Sequence, residues 1–149
     1  MRLEKPLAPG STIGILGGGQ LGRMLALAAG ELGFSCHIFA PEADSPAFQV
    51  SGAHTVAGYH DFTALEGFAK SVAVVTYEFE NVPGDTAAFL ESRVALAPGS
   101  GALKTAQDRV DEKTFIAGLG IPVAPFAAVN GQPELEAAIA LIGRPSVLK

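Results

Sequence analysis

The chain has 149 residues, of which 48% are hydrophobic and 17% charged, a composition typical of a globular protein. Its formal net charge of −5 excludes the broad basic surface that binding to nucleic acid or an anionic membrane requires. No apolar run approaches the ~18 residues of a membrane-spanning helix, and the single cysteine, Cys36, cannot form an internal disulfide, which predicts a cytoplasmic protein.

Short apolar runs alternate with helical patterns along the chain. Strands are predicted at 12–16, 35–40, 54–57, 72–77 and 94–97. Helices are predicted at 20–32, after an N-cap at Asp61, and at 85–92, 103–117 and 133–142. This alternation predicts an α/β fold with a Rossmann-like, doubly wound parallel sheet.

Two of the helices have a face that we expect to pack on the sheet. In the first helix this apolar stripe comprises Leu21, Met24, Leu25, Ala28 and Leu32. In the helix at 85–92, Ala88 and Phe89 are expected to face inward.

The segment Ala97-Pro98-Gly99-Ser100-Gly101 marks a break in the pattern, so a first domain is predicted at 1–102 and the start of a second at 103–149. Beyond the helix at 103–117, residues 121–126 are expected to be extended and 144–149 to form a strand. Because a strand must be covered by other elements, we expect the remainder of the second domain to lie beyond Lys149.

Residues 17–22 form a Gly-x-Gly-x-x-Gly turn that follows the first predicted strand and opens a helix. Free N–H groups at a helix start favour a phosphate. Glu42 lies twenty residues after Gly22, where an acid can hold an adenosine ribose, so a nicotinamide or flavin dinucleotide is one candidate ligand. A tight turn without a ligand is the alternative, with Glu42 an ordinary loop acid and Arg23 either a cation for a phosphate monoester or a solvated side chain.

Polar residues also follow the apolar run 72–77, which is typical of a central strand. If the backbone stays extended there, Glu78 and Glu80 point to one side, and Asn81 adds an amide. Because ligands in open α/β sheets sit beyond the carboxyl ends of strands, this edge suits a ligand that carries hydroxyl or amine groups. A surface acidic turn is the alternative. His37, His54 and His60 lack metal-ligand spacing, so no metal site is predicted within the chain.

The motif Gly-Ile-Leu-Gly-Gly-Gly-Gln-Leu-Gly-Arg-Met-Leu at 14–25 and the motif Tyr-Glu-Phe-Glu-Asn-Val-Pro at 77–83 together resemble the 5-(carboxyamino)imidazole ribonucleotide synthases, which are ATP-grasp ligases of purine biosynthesis. Gln107-Asp108-Arg109 and Pro145-Ser146-Val147-Leu148-Lys149 continue the resemblance in the order of the family. It implies that 1–102 is a pre-ATP-grasp domain that holds a ribonucleotide substrate, and that 103–149 begins an ATP-grasp domain.

The resemblance also implies roles for individual residues. Aminoimidazole ribonucleotide would place its phosphate or ribose at Gly19, Gln20, Leu21 and Gly22. Its aminoimidazole ribose end would lie against Glu78, Glu80 and Asn81. ATP would be bound by Arg109 and Lys149, two cations of the kind that phosphoryl transfer requires, although a solvated helix face and a frayed chain end are the ordinary explanations of these two residues.

The implied reaction joins ATP, bicarbonate and aminoimidazole ribonucleotide through carboxyphosphate to a carbamate, with release of ADP and phosphate. The resemblance places no catalytic residue in this chain, and the Mg²⁺ ligands are expected beyond Lys149. The 149-residue chain alone is therefore expected to be inactive, and the complete protein to be a cytoplasmic homodimer. The alternative is an NAD(P)- or nucleotide-binding Rossmann module of an oxidoreductase.

Overall fold

The computed structural model describes residues 5–149, which form two compact units, one ending at Lys104 and the other comprising Thr105–Lys149. The first unit is built on one sheet. The division into one domain at 1–102 and the start of another at 103–149, which the sequence predicts, stays a prediction.

The sheet of the first unit has five parallel strands in the order β3-β2-β1-β4-β5. These strands are β1 (Thr12–Leu16), β2 (Ser35–Ala40), β3 (Ala53–Val56), β4 (Val74–Tyr77) and β5 (Ala95–Leu96). The order of the strands reverses between β1 and β4, whose register pairs Ile13 with Val74 and Leu16 with Tyr77. The predicted Rossmann-like sheet is confirmed, and its switch point lies where β1 and β4 end side by side.

Helices cover both faces of the sheet. They are α1 (Gln20–Glu31), a 3₁₀ helix (Pro46–Val50), α2 (Phe62–Lys70), α3 (Gly84–Glu91) and α4 (Ser100–Gln107). Each face of the sheet has its own buried cluster. Leu16 of β1 packs with Phe39 and Phe68 in one cluster, and the preceding residue, Ile15, packs with Ile38 in the other. The side chain of Asp61 caps α2 as predicted, accepting hydrogen bonds from the N–H groups of the first turn.

Helix α1 packs on the sheet through small residues, not through its leucines. Gly22, Ala26 and Ala29 are buried, whereas Leu21 is 55% exposed and Leu32 70% exposed. The prediction that the stripe of Leu21, Met24, Leu25, Ala28 and Leu32 faces the core is therefore wrong. At the start of the helix the reason is close approach, because a Cβ on Gly22 would lie 2.6 Å from the carbonyl oxygen of Gly17. This position of the buried face therefore admits no side chain, and Ala26 and Ala29 continue the same face.

Helix α3 also presents a different face from the predicted one. Thr86, Ala87 and Leu90 are its buried residues, whereas Ala88 is exposed and Phe89 is partly buried. Phe89 instead packs beside Phe62, with ring centroids 4.9 Å apart. The prediction is wrong for Ala88, whereas Phe89 is partly buried and packs against the core cluster. Thr86 is part of the buried face because its hydroxyl donates a hydrogen bond to a backbone carbonyl.

The predicted single helix at 103–117 is two helices. Helix α4 ends at Gln107, and α5 (Arg109–Gly118) begins directly afterwards. Asp108 causes the break, because its backbone is extended and its carboxylate accepts hydrogen bonds from the N–H groups of Val110 and Asp111 at 2.8 and 3.0 Å. An Asp in this position ends one helix and caps the next.

In the second unit, α5 is followed by α6 (Gln132–Ile142), with Pro133 in its first turn as predicted. Neither α5 nor α6 buries a residue. Residues 144–149 form no strand, so that prediction is wrong for this chain, and the described residues supply no backbone partner for them. Residues 121–126 lie outside any regular element.

Within residues 5–149, no helix is both long enough and apolar enough to cross a membrane.

Candidate functional site

The glycine loop, defined here as residues 17–22, follows β1 at the switch point of the sheet and includes the first residues of α1. Gly17 has φ +112°, a backbone conformation that only glycine adopts readily, and its N–H donates to the carbonyl oxygen of Phe39 at 3.0 Å. The glycines at 17 and 22 are thus required by backbone geometry and by close packing. The last three residues of this loop are the first three of the 12-residue helix α1.

Glu78 lies against this loop. Its backbone N–H donates to the carbonyl oxygen of Leu16 at 3.2 Å, which continues the pairing of β4 with β1 by one residue. Its carboxylate Oε1 accepts a hydrogen bond from the backbone N–H of Gly19 at 3.3 Å. A Cβ on Gly17 would lie 2.7 Å from the same oxygen, so the absence of a side chain at Gly17 is what admits the carboxylate. A carboxylate therefore sits beside the helix start, where a bound phosphate would otherwise accept hydrogen bonds.

The chain turns immediately after Glu78. Strand β4 ends at Tyr77, and residues 78–81 form a bend and a turn, so the extended backbone that would direct Glu78 and Glu80 to one side is not present. Glu80 and Asn81 are exposed, whereas Glu78 is half-buried and Val82 is fully buried. The structure thus joins Glu78 to the glycine loop and leaves Glu80 and Asn81 on the solvent side of the same turn.

Arg23 is held by protein groups. Its guanidinium donates to the carbonyl oxygen of Pro46 at 3.1 Å and to the side-chain oxygen of Gln49 at 2.7 Å. Both acceptors belong to the 3₁₀ helix, so Arg23 fastens this helix to α1. The hydrogen bond to Gln49 lies at the surface, and both alternatives for Arg23, a cation for a phosphate and a solvated side chain, stay predictions.

The segment that follows β2 also contacts the glycine loop. Ser45 is only 5% exposed, and its hydroxyl donates to the carbonyl oxygen of Glu42 at 2.7 Å. The N–H of Ala47 donates to the carbonyl oxygen of Gly18 at 3.0 Å. Glu42 itself is exposed. Sequence reasoning missed Ser45, for which no motif gives a signal.

Tyr59 is a further residue that sequence reasoning missed. It follows the carboxyl end of β3, and its ring lies between those of Phe39 and Phe79, at centroid distances of 6.1 and 5.9 Å. Burial, with added repulsion from Glu42 and Glu78, raises the pKa of Tyr59 to about 12. The phenol therefore stays protonated at neutral pH. Its position after a strand on the ligand edge of the sheet is the signal that could have found it.

The two residues proposed for ATP lie in the second unit. Arg109 is half-exposed and donates to the carboxylate of Glu112 at 2.7 Å, one helical turn further along. Lys149 is exposed. Among the described residues, no group of three or more His, Cys, Asp or Glu side chains could hold a metal ion.

The family described as the ribonucleotide synthetase preATP-grasp domain matches residues 10–107. The chain belongs to this family. This preATP-grasp match covers the sheet, the glycine loop and the turn after β4.

Individual relatives support the same family. The preATP-grasp chain is 46% identical over 143 residues to the N5-carboxyaminoimidazole ribonucleotide synthase of Brucella melitensis biotype 1, covering 96% of this chain and 40% of that protein. It resembles the crystal structure of the ADP complex of an N5-carboxyaminoimidazole ribonucleotide synthetase with a TM-score of 0.91 at 43% identity, over 96% of this chain and 38% of the other. An N5-carboxyaminoimidazole synthase of Aspergillus clavatus, in complex with ADP and 5-aminoimidazole ribonucleotide, matches with a TM-score of 0.82 at 31% identity, over 92% and 37% of the two chains.

The preATP-grasp chain thus spans about two fifths of the length of these relatives. It aligns with nearly all of its own residues in each comparison. The N5-carboxyaminoimidazole ribonucleotide synthases predicted from the motifs are therefore confirmed as its relatives, while an oxidoreductase module is not favoured.

Proposed function

We propose that this chain is the ribonucleotide-binding part of an N5-carboxyaminoimidazole ribonucleotide synthase of purine biosynthesis. The complete enzyme would join ATP, bicarbonate and 5-aminoimidazole ribonucleotide, forming carboxyphosphate and then a carbamate on the substrate amine. Support comes from the names and bound ligands of the relatives. The observation within the chain that carries the proposal is the hydrogen bond from the N–H of Gly19 to Glu78.

That hydrogen bond argues against a dinucleotide. Two unit charges about 4 Å apart near a protein surface interact by about 4 kcal/mol. A pyrophosphate at the glycine loop would therefore be repelled by Glu78, whose carboxylate already accepts from Gly19. A ligand that brings hydroxyl or amine donors to this edge gains hydrogen bonds to a charged acceptor instead.

We assign the substrate roles accordingly. Glu78, Glu80 and Asn81 bind the aminoimidazole ribose end, and the glycine loop, including Gly19, Gln20, Leu21 and Gly22, contacts the ribose or phosphate. The carboxylate of Glu78 favours the ribose as the group nearest Gly19. Holding the substrate in one orientation keeps its amine in place for attack on carboxyphosphate, and such positioning is a large part of catalysis in phosphoryl and carboxyl transfer.

The ATP site, Mg²⁺ site and assembly form a second part of the proposal. Arg109 and Lys149 contact ATP at the start of the ATP-grasp domain, which we assign to residues 103–149. Mg²⁺ is held by carboxylates outside these 149 residues, since ATP chemistry calls for oxygen ligands of this kind. The complete protein is a cytoplasmic homodimer.

Calorimetric titration of the 149-residue chain with 5-aminoimidazole ribonucleotide and, separately, with NAD(H) tests the substrate assignment. We expect the ribonucleotide to bind and NAD(H) to bind at least tenfold more weakly, because Glu78 repels a pyrophosphate. Tighter binding of NAD(H) would overturn the proposal.

A chimera with the remaining domains of the Brucella melitensis relative fused after Lys149 tests the ATP site. The chain alone is expected to show no ATP- and bicarbonate-dependent carboxylation, and the chimera is expected to restore it. In the chimera, Arg109→Ala should raise KM for ATP, with Arg93→Ala, a first-unit arginine that packs over Phe89, as the matched control. An unchanged KM would remove Arg109 from the nucleotide site.

A further inference from the structure

The side chain of Tyr59 is held in place at the edge of the sheet where the carboxyl ends of the strands lie. Its ring lies between Phe39 of β2 and Phe79, the residue directly after Glu78. Its backbone is fixed as well, since the hydroxyl of Thr86, a fully buried residue of α3, donates to the carbonyl oxygen of Tyr59 at 2.6 Å. Both ring and backbone are therefore held without any help from the phenolic oxygen.

Among residues 5–149, the Tyr59 hydroxyl makes no hydrogen bond, and no buried side-chain polar atom is left unsatisfied, so this oxygen reaches solvent. The carboxylates of Glu42 and Glu78 are close enough to act on it electrostatically. A protonated phenol beside two carboxylates adds a hydrogen-bond donor to an edge where the acids only accept.

We propose that Tyr59 contacts the ribonucleotide substrate, donating a hydrogen bond from its phenol to an acceptor atom of the sugar or imidazole while Glu78 accepts from the donor groups of the same ligand. This inference rests on the proposed function, because it names a further contact in the same site. Hydroxyl and amine groups of the ligand are matched by the carboxylates, and ring nitrogen or sugar oxygen atoms are matched by Tyr59. A phosphate is the least suitable group here, because Glu42 and Glu78 repel it.

Tyrosine emission gives a direct view of this residue. The chain has two tyrosines and no tryptophan. The hydroxyl of the other one, Tyr77, already has a protein partner, because it donates to the carbonyl oxygen of Gly99 at 3.4 Å. In the variant Tyr77→Phe, fluorescence therefore reports on Tyr59 alone.

The test compares Tyr59→Phe with Tyr77→Phe in the 149-residue chain. Each substitution removes one hydroxyl and keeps the ring. We expect Tyr59→Phe to weaken binding of 5-aminoimidazole ribonucleotide by about fivefold to tenfold with an unchanged melting temperature, since one hydrogen bond to the ligand is lost. Tyr77→Phe should bind like wild type, and its Tyr59 emission should change when the ribonucleotide is added.

The outcomes separate the two proposals. If wild type does not bind the ribonucleotide, the proposed function fails, and the role of Tyr59 fails with it. If wild type binds while Tyr59→Phe binds equally well and the emission of Tyr77→Phe does not respond, Tyr59 is a packing residue and the inference alone is overturned.

Discussion

The backbone nitrogen of Gly19 and a carboxylate oxygen of Glu78 lie 3.3 Å apart, although the two residues are 59 positions apart in the sequence. The contact exists because β1 and β4 are parallel neighbours and end at the same level of the sheet. It places a carboxylate of the protein itself at the start of α1. In a fold of this type the ligand must then offer hydrogen-bond donors that this carboxylate can accept.

Replacing Glu78 by Gln tests this relationship. The variant keeps an acceptor for Gly19 but removes the charge, so we expect ribonucleotide affinity to fall about tenfold, in line with the loss of a charge-assisted hydrogen bond. NAD(H) affinity should rise or stay the same, because the repulsion is gone. Calorimetry measures both. Glu31→Gln, at the far end of α1, removes the same charge away from the site and should change neither affinity.

Replacing Gly17 by Ala should destabilise the first unit. Gly17 has φ +112°, and the new Cβ would come within 2.7 Å of a carboxylate oxygen of Glu78. We expect a loss of about 1–3 kcal/mol in the free energy of unfolding, measured by urea denaturation. Gly30→Ala is the control, since a Cβ there meets nothing within 4 Å and α1 should gain about 0.5–1 kcal/mol. Equal effects at the two positions would contradict the argument.

Replacing Asp108 by Ala should destabilise the start of α5. The Asp108 carboxylate accepts from two backbone N–H groups of the first turn. Loss of such a cap costs about 0.5–2 kcal/mol, and hydrogen exchange at Val110 and Asp111 should become faster. Asp108→Asn keeps a capping oxygen and should protect these amides nearly as well as wild type. Unchanged exchange in the Ala variant would show that the cap contributes nothing.

Much of the fold could be predicted from the sequence, because local pattern decides local structure. The bounds of β1 and β2 agree with their apolar runs, Asp61 caps α2, and Pro133 lies in the first turn of α6, as their residue types predict. The buried face of α1 could not be predicted, since the hydrophobic stripe favours the leucines while the close approach of Gly22 to the carbonyl oxygen of Gly17 fixes a different face. Here a tertiary constraint overrides periodicity.

The candidate site likewise combines residues that the sequence predicts with contacts that it does not. Glu78 could be chosen from its motif, but its bond to Gly19 depends on strand order, which no local pattern reveals. Tyr59 was missed because it belongs to no motif and reaches the site only when β3 packs at the sheet edge beside β2. The engagement of Arg23 by the 3₁₀ helix was hidden for the same reason.

His37 should make the stability of the first unit depend on pH. Its ring nitrogens lie 2.8 Å from the hydroxyl oxygens of Ser71 and Thr55. Because the Ser71 hydroxyl donates to the carbonyl oxygen of Phe68, it accepts from Nδ1–H, and Nε2 accepts from Thr55. This pattern suits the neutral ring. Burial, and secondarily the charge of His54, lowers the pKa of His37 from its ordinary value of 6.5.

The direction of the pH effect follows from that lowered pKa. Below about pH 6.5 the unfolded chain binds a proton at His37 that the folded chain resists, so the free energy of unfolding should decrease as the pH falls through this range toward the folded pKa. Above it both states are neutral and the contribution is fully present. Urea denaturation between about pH 7.5 and 5 measures the slope, and His37→Gln should reduce it. A histidine titration by NMR that places the His37 pKa above 6.5 would reverse the sign and contradict the prediction.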